Sequence, residues 1–330
     1  MPTTHQQSIE LSQSCKASRP ATTVAEGNEA SDRVEGRCEV AVNEVRLGLG
    51  AWAGGPYNTP FPAHPGSRGA APPESPMSEE LLSREEGPVH RLMLNRPARR
   101  NALTPDLASA IARELDLIEE RGAAQVVVLG GAGGHFCAGL DLHWLRSLGP
   151  LPSTTELQRG LSDFQSAVLA IVRCPLPVLA EIRGTVAGFG LDLALACDMR
   201  LAESGATFTS AFARMGLVPD GGSTFTLPHL LGLGHALRFL MAGETLSATR
   251  ACALGLVDEV RDEPEFDAAL TAVTKSIAAA APSSVRTIKR LVRAHELGAL
   301  EQALASEGAA QIQALQSPEF HRRLEAFVSR

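Results

Sequence analysis

Two segments of the chain share one design, in which an apolar strand enters a glycine-rich turn that opens a helix. The first runs from Gln125-Val-Val-Val-Leu-Gly130 into Gly131-Ala-Gly-Gly-His-Phe-Cys-Ala-Gly-Leu-Asp-Leu142. The second runs from Leu176-Pro-Val-Leu-Ala-Glu-Ile182 into Arg183-Gly-Thr-Val-Ala-Gly-Phe-Gly-Leu-Asp-Leu193. Glycine allows positive φ and close approach of a ligand to the backbone. The first N–H groups of the following helix have no partner inside it, so they can face an anion or a developing oxyanion. A dinucleotide-binding turn uses the same physics, but Gly188-Phe-Gly-Leu-Asp-Leu193 has only two of the three glycines of GxGxxG. Neither turn carries the GK[ST] of a phosphate-cradling loop, and no GxSxG elbow occurs to supply a nucleophilic serine.

Around these turns, strand-like and helix-like patterns alternate, which predicts an α/β fold. Val89–Leu94 alternates as a strand and is followed by an Asn95-Arg-Pro97 turn. Residues 102–120 place Leu103, Leu107, Ile111, Leu115 and Ile118 at helical spacing. Residues 155–173 read as a second amphipathic helix, and a third is expected from Gly184 through Ala196. Met199–Ala202 and Thr207–Thr209 read as short strands. After Thr224 the pattern is nearly all helical, with Ser247 capping a helix that Gly255 ends and three more helices to Arg330.

Composition narrows the class. The 330 residues are 44% hydrophobic with a net charge of −7 and no long basic run, which argues against a nucleic-acid or membrane-surface binder. The six cysteines, at 15, 38, 137, 174, 197 and 252, form no CxxC; free thiols in a reducing cytoplasm are expected, not disulfides or a zinc site. From Leu47 to Pro76, 13 of 30 residues are Gly or Pro, so residues 1–76 are expected to be a disordered extension. The main domain is expected over 77–330, with its helical C-terminal region from about 265. Met77 as the true start and a dispensable tail before it are both open readings.

Five signatures then occur in order. They are Leu94-Asn-Arg-Pro-Ala-Arg-Arg-Asn-Ala-Leu103, Phe136-Cys-Ala-Gly-Leu-Asp-Leu142, Ala194-Leu-Ala-Cys-Asp-Met-Arg200, Gly216-Leu-Val-Pro-Asp-Gly-Gly222 and Ala248-Thr-Arg-Ala-Cys-Ala-Leu-Gly-Leu-Val257. With them the chain resembles the crotonase (enoyl-CoA hydratase/isomerase) superfamily from Arg91 to Arg330. The resemblance implies an α/β crotonase spiral of ββα turns with a helical C-terminal region, a homotrimer or a dimer of trimers, and acyl-coenzyme A as substrate. It implies no metal and no redox cofactor.

Carried over by position, the resemblance puts the oxyanion donors at the backbone N–H groups of Leu140 and Phe189. Phe189 stands where glycine is usual, so its ring is expected to narrow the acyl pocket. The family's first catalytic glutamate falls on Asp192 and its second on Phe212, which cannot move a proton. Asp220 matches the aspartate of a subset that includes phenylacetate-pathway isomerases, chlorobenzoyl-CoA dehalogenases and naphthoate synthases, and is the expected base. Arg99 and Arg100 follow the turn where the family grips coenzyme A; Ala102, Ala138, Leu140, Asp141, Leu142, His143, Phe189 and Phe212 complete the expected substrate-binding set. Lys289 and Phe327 fall where C-terminal helices touch coenzyme A in the family. Double-bond migration in an enoyl-CoA is the reaction expected. Hydration using Asp192 and Asp220, attack by Asp220 on an acyl or aryl carbon, and a non-catalytic acyl-CoA-binding subunit remain open alternatives.

Overall fold

The computed structural model describes residues 79–149 and 152–329; the expectation for 1–76 lies outside them. The described residues begin with a hairpin, β1 (Leu81–Glu86) and β2 (Val89–Leu94), followed by α1 (Pro105–Arg121) and β3 (Val126–Gly131). Next come α2 (Leu142–Ser147), α3 (Thr154–Arg173), β4 (Val178–Ile182), β5 (Thr185–Ala187) and α4 (Phe189–Ala196). The third stretch holds β6 (Met199–Glu203), β7 (Thr207–Thr209), α5 (Phe212–Met215), α6 (Ser223–Leu231) and α7 (Leu233–Ala242). Then follow β8 (Thr245–Ser247), α8 (Ala248–Ala253) and β9 (Glu259–Arg261). Four helices close the chain: α9 (Glu263–Ala279), α10 (Pro282–Ala294), α11 (Leu297–Leu315) and α12 (Pro318–Val328).

The main sheet has the order β1-β2-β3-β4-β6-β9 and is parallel except for the β1–β2 hairpin. A parallel strand covered on both faces needs apolar side chains on both, and the Val126-Val-Val-Leu129 run supplies them. One face packs on α1, α3 and α4 through Leu107, Ile111, Phe164, Ile171 and Leu191. The other packs Val126, Val128, Leu179 and Leu201 against Phe266 and Leu270 of α9. A second sheet, β5-β7-β8, stands beside the first and carries the second glycine turn. This layering is the α/β crotonase architecture with a helical C-terminal region that the resemblance implies.

Several boundaries differ from the sequence reading, each for a local reason. α1 starts at Pro105, capped by Thr104, because Leu103 is paired with Leu140 in a parallel bridge and cannot be helical. The second turn does not go straight from Gly184 into a helix. Thr185–Ala187 first pairs with β7, and the helix begins after Gly188. The C-terminal half is not wholly helical, since β8 and β9 each add three residues of strand, and four helices follow α8 where three were expected.

Candidate active site

Asn101 joins the first glycine turn to the Asn95–Asn101 segment. Its side-chain oxygen accepts from the Arg96 N–H at 2.9 Å, and its amide donates to the carbonyls of Ala132 (2.9 Å) and His135 (2.7 Å). The residue is fully buried with φ +57, one of two non-glycine residues with positive φ among those described. Arg96 extends the clamp to the Ala102 carbonyl and to Asp141 at 2.8 Å. Asp141 in turn caps α2, accepting from the N–H groups of His143 and Trp144. Arg96 and those two N–H groups hold the Asp141 carboxyl below its usual range in spite of burial, which pushes the other way. Its carboxylate is turned to Arg96 and to those N–H groups, so Asp141 holds the start of α2.

The bridge between Leu103 and Leu140 aims one expected donor. The Leu103 N–H donates to the Gly139 carbonyl (2.7 Å) and the Asp141 N–H to the Leu103 carbonyl (2.8 Å). In an extended segment successive residues turn their N–H groups to opposite sides, so the Leu140 N–H faces away from Leu103. The opposite side belongs to the second turn, where Cys137 pairs with Val186 and the Ala187 N–H donates to the Cys137 carbonyl. Gly188, at φ +52 and ψ −129, ends that strand and starts α4, so the Phe189 N–H is the first of the helix and has no partner within it. A side-chain carbon on Gly139 (φ +93) would lie 3.2 Å from the Phe189 nitrogen and 2.6 Å from the Ala187 carbonyl oxygen. The peptide groups bearing the two donors thus adjoin, at the spot where both glycine turns meet.

The Phe189 ring turns into the core. It is 3% exposed and its centroid lies 5.1 Å from that of Phe164, which meets Trp144 edge-on at 6.2 Å. Phe189→Ala is therefore expected to cost about 3–5 kcal/mol of stability, as large-to-small changes at buried aromatics do. It should also widen the acyl chain-length profile through the space opened behind the donors. A denaturant melt with assays on short and long acyl-CoAs checks both, and an unchanged profile would remove Phe189 from the pocket wall.

Asp192 and Asp220 come together from distant parts of the chain. Asp192, on the first turn of α4, is fully buried, and Gly221 lies so close that a side-chain carbon there would sit 2.5 Å from the Asp192 Cβ. Neither Asp192 oxygen completes a hydrogen bond, although Ser223 and the Gly221 N–H lie near enough to favour its charged form slightly. Burial first, then the charges of Glu307 and Asp220, raise its pKa well above 3.8. Asp220 is 7% exposed; one oxygen accepts from the Gln311 amide at 3.1 Å and the other has no partner. Burial pushes its pKa up to about 7, with Glu307 adding to the rise and the Gln311 amide opposing it. No arginine or lysine among the described residues pairs with Asp192, Asp220 or Glu307.

A raised pKa has a sign for stability. The folded protein keeps a proton on Asp192 that the unfolded chain gives up above about pH 4, so that contribution is full below this pH. It is lost as pH rises toward the folded value. Asp192→Asn has no proton to lose and is expected to stabilise the fold by about 1–3 kcal/mol at pH 8 and by less at pH 5. Melting curves at the two pH values check this; an equal change at both would contradict it.

Phe212, where the family's second glutamate would stand, is buried with Leu145, Leu217, Leu315 and Phe320, and Leu140, Leu142 and Trp144 pack on that cluster. Arg99, Arg100 and His143 are exposed beside the first turn, while Ala102 and Ala138 are buried or half-buried there. Lys289 corrects an expectation: its Nζ is buried, ion-paired with Asp198 at 2.6 Å, and donates to the carbonyls of Ile171 and Leu176. It anchors α10 and has no donor left for coenzyme A. A cavity of about 340 Å³ lies beside it, at the C-terminal end of α4 among Leu195, Phe225, Ile288 and Lys289. That is the far end of the helix from the Phe189 N–H, so the geometry of the donors, not cavity size, locates the site.

The sequence reading missed Asn101, Glu307 and Gln311. The last two carried a readable signal, being polar residues four apart on a helix face otherwise made of Leu300, Leu304 and Leu315.

Comparison with known proteins gives the family. Residues 84–330 match the family model described as Enoyl-CoA hydratase/isomerase. The chain is 31% identical over 236 residues to the peroxisomal Delta(3,5)-Delta(2,4)-dienoyl-CoA isomerase of Arabidopsis thaliana, covering 68% of this chain and 84% of that one. It is 30% identical over 255 residues to the 1,2-epoxyphenylacetyl-CoA isomerase of Escherichia coli, covering 77% and 97%. Among solved structures, an enoyl-CoA hydratase/isomerase from Pseudoalteromonas atlantica superposes with a TM-score of 0.68 at 30% identity, covering 76% of this chain and 97% of that one. With paired N–H donors at the two glycine turns and a family match over most of its length, the chain belongs to the enoyl-CoA hydratase/isomerase family, the crotonase superfamily.

Proposed function

We propose that the protein moves a double bond in an enoyl-CoA through an enolate, with Asp220 carrying the proton. Removing a proton conjugated to a thioester puts negative charge on its carbonyl oxygen. The Leu140 and Phe189 N–H groups would donate hydrogen bonds to that oxygen, each donor being worth about 3 kcal/mol in the transition state. Asp220 takes the proton from one carbon and returns it to another, so one base serves both steps and no water is consumed. Asp192 stays protonated beside it and keeps the pair from carrying two adjacent charges. The observation that carries the reading is Asp220 itself: a buried carboxyl with one unpartnered oxygen and a pKa near 7, where a base working at neutral pH is most effective. Phe212 argues against the two-glutamate hydration of the family, while the relatives include both isomerases and probable hydratases.

A second reading has Asp192 and Asp220 jointly positioning water for hydration, which their adjacency permits. A panel of enoyl-CoAs with product analysis separates the two. Isomerisation gives a product of unchanged mass with a shifted double bond, and hydration adds the mass of one water. A hydrated product as the main outcome would replace the first reading with the second. No turnover across the panel with tight acyl-CoA binding would replace both with a binding subunit. Arg99 or Arg100 is proposed to meet a coenzyme A phosphate, and His143 to lie along the same path.

The proposed assembly is a homotrimer or dimer of trimers, with exposed Ile288, Leu291 and Val292 of α10 and Phe327 of α12 available to partner subunits. The cytoplasm is the proposed compartment; among the described residues no helix is long and apolar enough to cross a membrane.

A further inference from the structure

α11 turns two polar side chains toward the core on an otherwise apolar face, Glu307 and Gln311, one turn apart. Neither is used within its own helix. Glu307 accepts from the Gly222 N–H (2.6 Å), the Thr224 N–H (2.8 Å) and the Thr224 hydroxyl (2.5 Å). The two N–H groups lie at the start of α6, whose cap position is Gly222 and has no side chain to satisfy them. Gln311 accepts from the Val218 N–H at 3.1 Å and donates to Asp220 at 3.1 Å. A backbone N–H can only donate, so Val218 fixes the amide with its oxygen toward the loop and its NH2 toward Asp220. From the other side, Gln165 of α3 donates to the Asp220 carbonyl (3.1 Å) and to the Leu304 carbonyl of α11 (2.8 Å).

We infer that Glu307 and Gln311 are positioning residues for the proton-transfer step, holding the 218–224 loop so that one oxygen of Asp220 is tied down and the other is left to react. The inference rests on Asp220 being the base. The two residues also bias that base in opposite senses. The titratable groups facing Asp220 are the protonated Asp192 from α4 and the charged Glu307 from α11, with no cation among them. The Glu307 charge favours the protonated form of Asp220, and the Gln311 N–H favours the ionised form. α11 is thereby part of the chemistry as well as of the fold.

Opposed biases give a readout that mere support of the loop would not. The pH dependence of kcat/KM should show an acidic limb near the Asp220 value of about 7. Glu307→Gln should move that limb down, and Gln311→Met should move it up, each by about one pH unit given the usual strength of a charged hydrogen bond or a nearby charge. Limbs that stay put, or move in the same direction, in an enzyme that Asp220→Asn inactivates would overturn the inference and leave Asp220 as the base. Normal turnover by Asp220→Asn would overturn both. Should either variant fail to fold, carboxyl carbon NMR on the unmodified protein still decides, with the Asp220 resonance assigned by its loss in Asp220→Asn. A midpoint near 7 supports the arrangement, and one in the ordinary carboxylate range overturns it.

Discussion

Asp220→Asn is expected to lower kcat by about 100-fold or more while acyl-CoA affinity changes only a few-fold. General acid–base catalysis contributes roughly two to four decades, and the amide keeps the shape of the side chain but cannot accept the proton. Affinity should hold because the Leu140 and Phe189 N–H groups and the exposed arginines are untouched by the change. The Gln311 amide would then face another amide in place of a carboxylate, a loss of one charged hydrogen bond and not of the fold. Asp192→Asn should cost less activity, since that group is held protonated and has no free charge to offer. Steady-state kinetics with calorimetric binding separate the two carboxylates. If Asp192→Asn abolishes turnover and Asp220→Asn is nearly silent, their roles are reversed.

Gly139→Ala is expected to lower kcat by about 100- to 1,000-fold, the usual cost of losing an oxyanion donor. Two effects combine at this position. The φ of +93 strains any residue with a side chain, and the added carbon would press to 2.6 Å from the Ala187 carbonyl oxygen and 3.2 Å from the Phe189 nitrogen. To relieve that contact the two turns must separate, and the two donors separate with them. The methyl group is small and leaves Asp220 alone, so the acidic limb of the pH profile should remain in place while its height falls. A Gly139→Ala enzyme with near-normal kcat would show that the donors are not the pair assigned here.

Much of this site was legible in the amino-acid order because its chemistry lies in the backbone. Glycines at 139 and 188 and the helix start after each turn can be read without any contact information. Asp220 and the missing carboxylate at Phe212 came from the family resemblance, since by itself an aspartate before Gly221-Gly222 reads as a turn or cap residue. Long-range partners were not legible. Glu307 and Gln311 reach Asp220 and its loop from about 90 residues away; their place on the apolar face of α11 marks them as unusual, but nothing local says what they reach. Asp141 was placed by the resemblance in the substrate-binding set, and what it holds in the fold, Arg96 and the start of α2, was not legible. Lys289 likewise looked free until Asp198 was found against it. The strands β1, β5, β8 and β9 escaped notice; the last three are only three residues long, too short to show a period, although the equally short β7 was read. Residues 102–104 misled for the opposite reason. Their apolar spacing continues that of α1, but the Leu103 backbone is held in the bridge that aims the Leu140 N–H.

In the proposed mechanism Asp220 removes a proton to give an enolate held by two backbone donors. Proton exchange in heavy water tests it most directly, because exchange registers enolate formation even when no net product accumulates. Incubation of the enzyme with an enoyl-CoA should place deuterium on carbon conjugated to the thioester, detected by mass spectrometry. The Asp220→Asn enzyme should exchange about 100-fold more slowly or not at all. Undiminished exchange in Asp220→Asn, or none in the unmodified enzyme with a substrate it converts, would contradict the account.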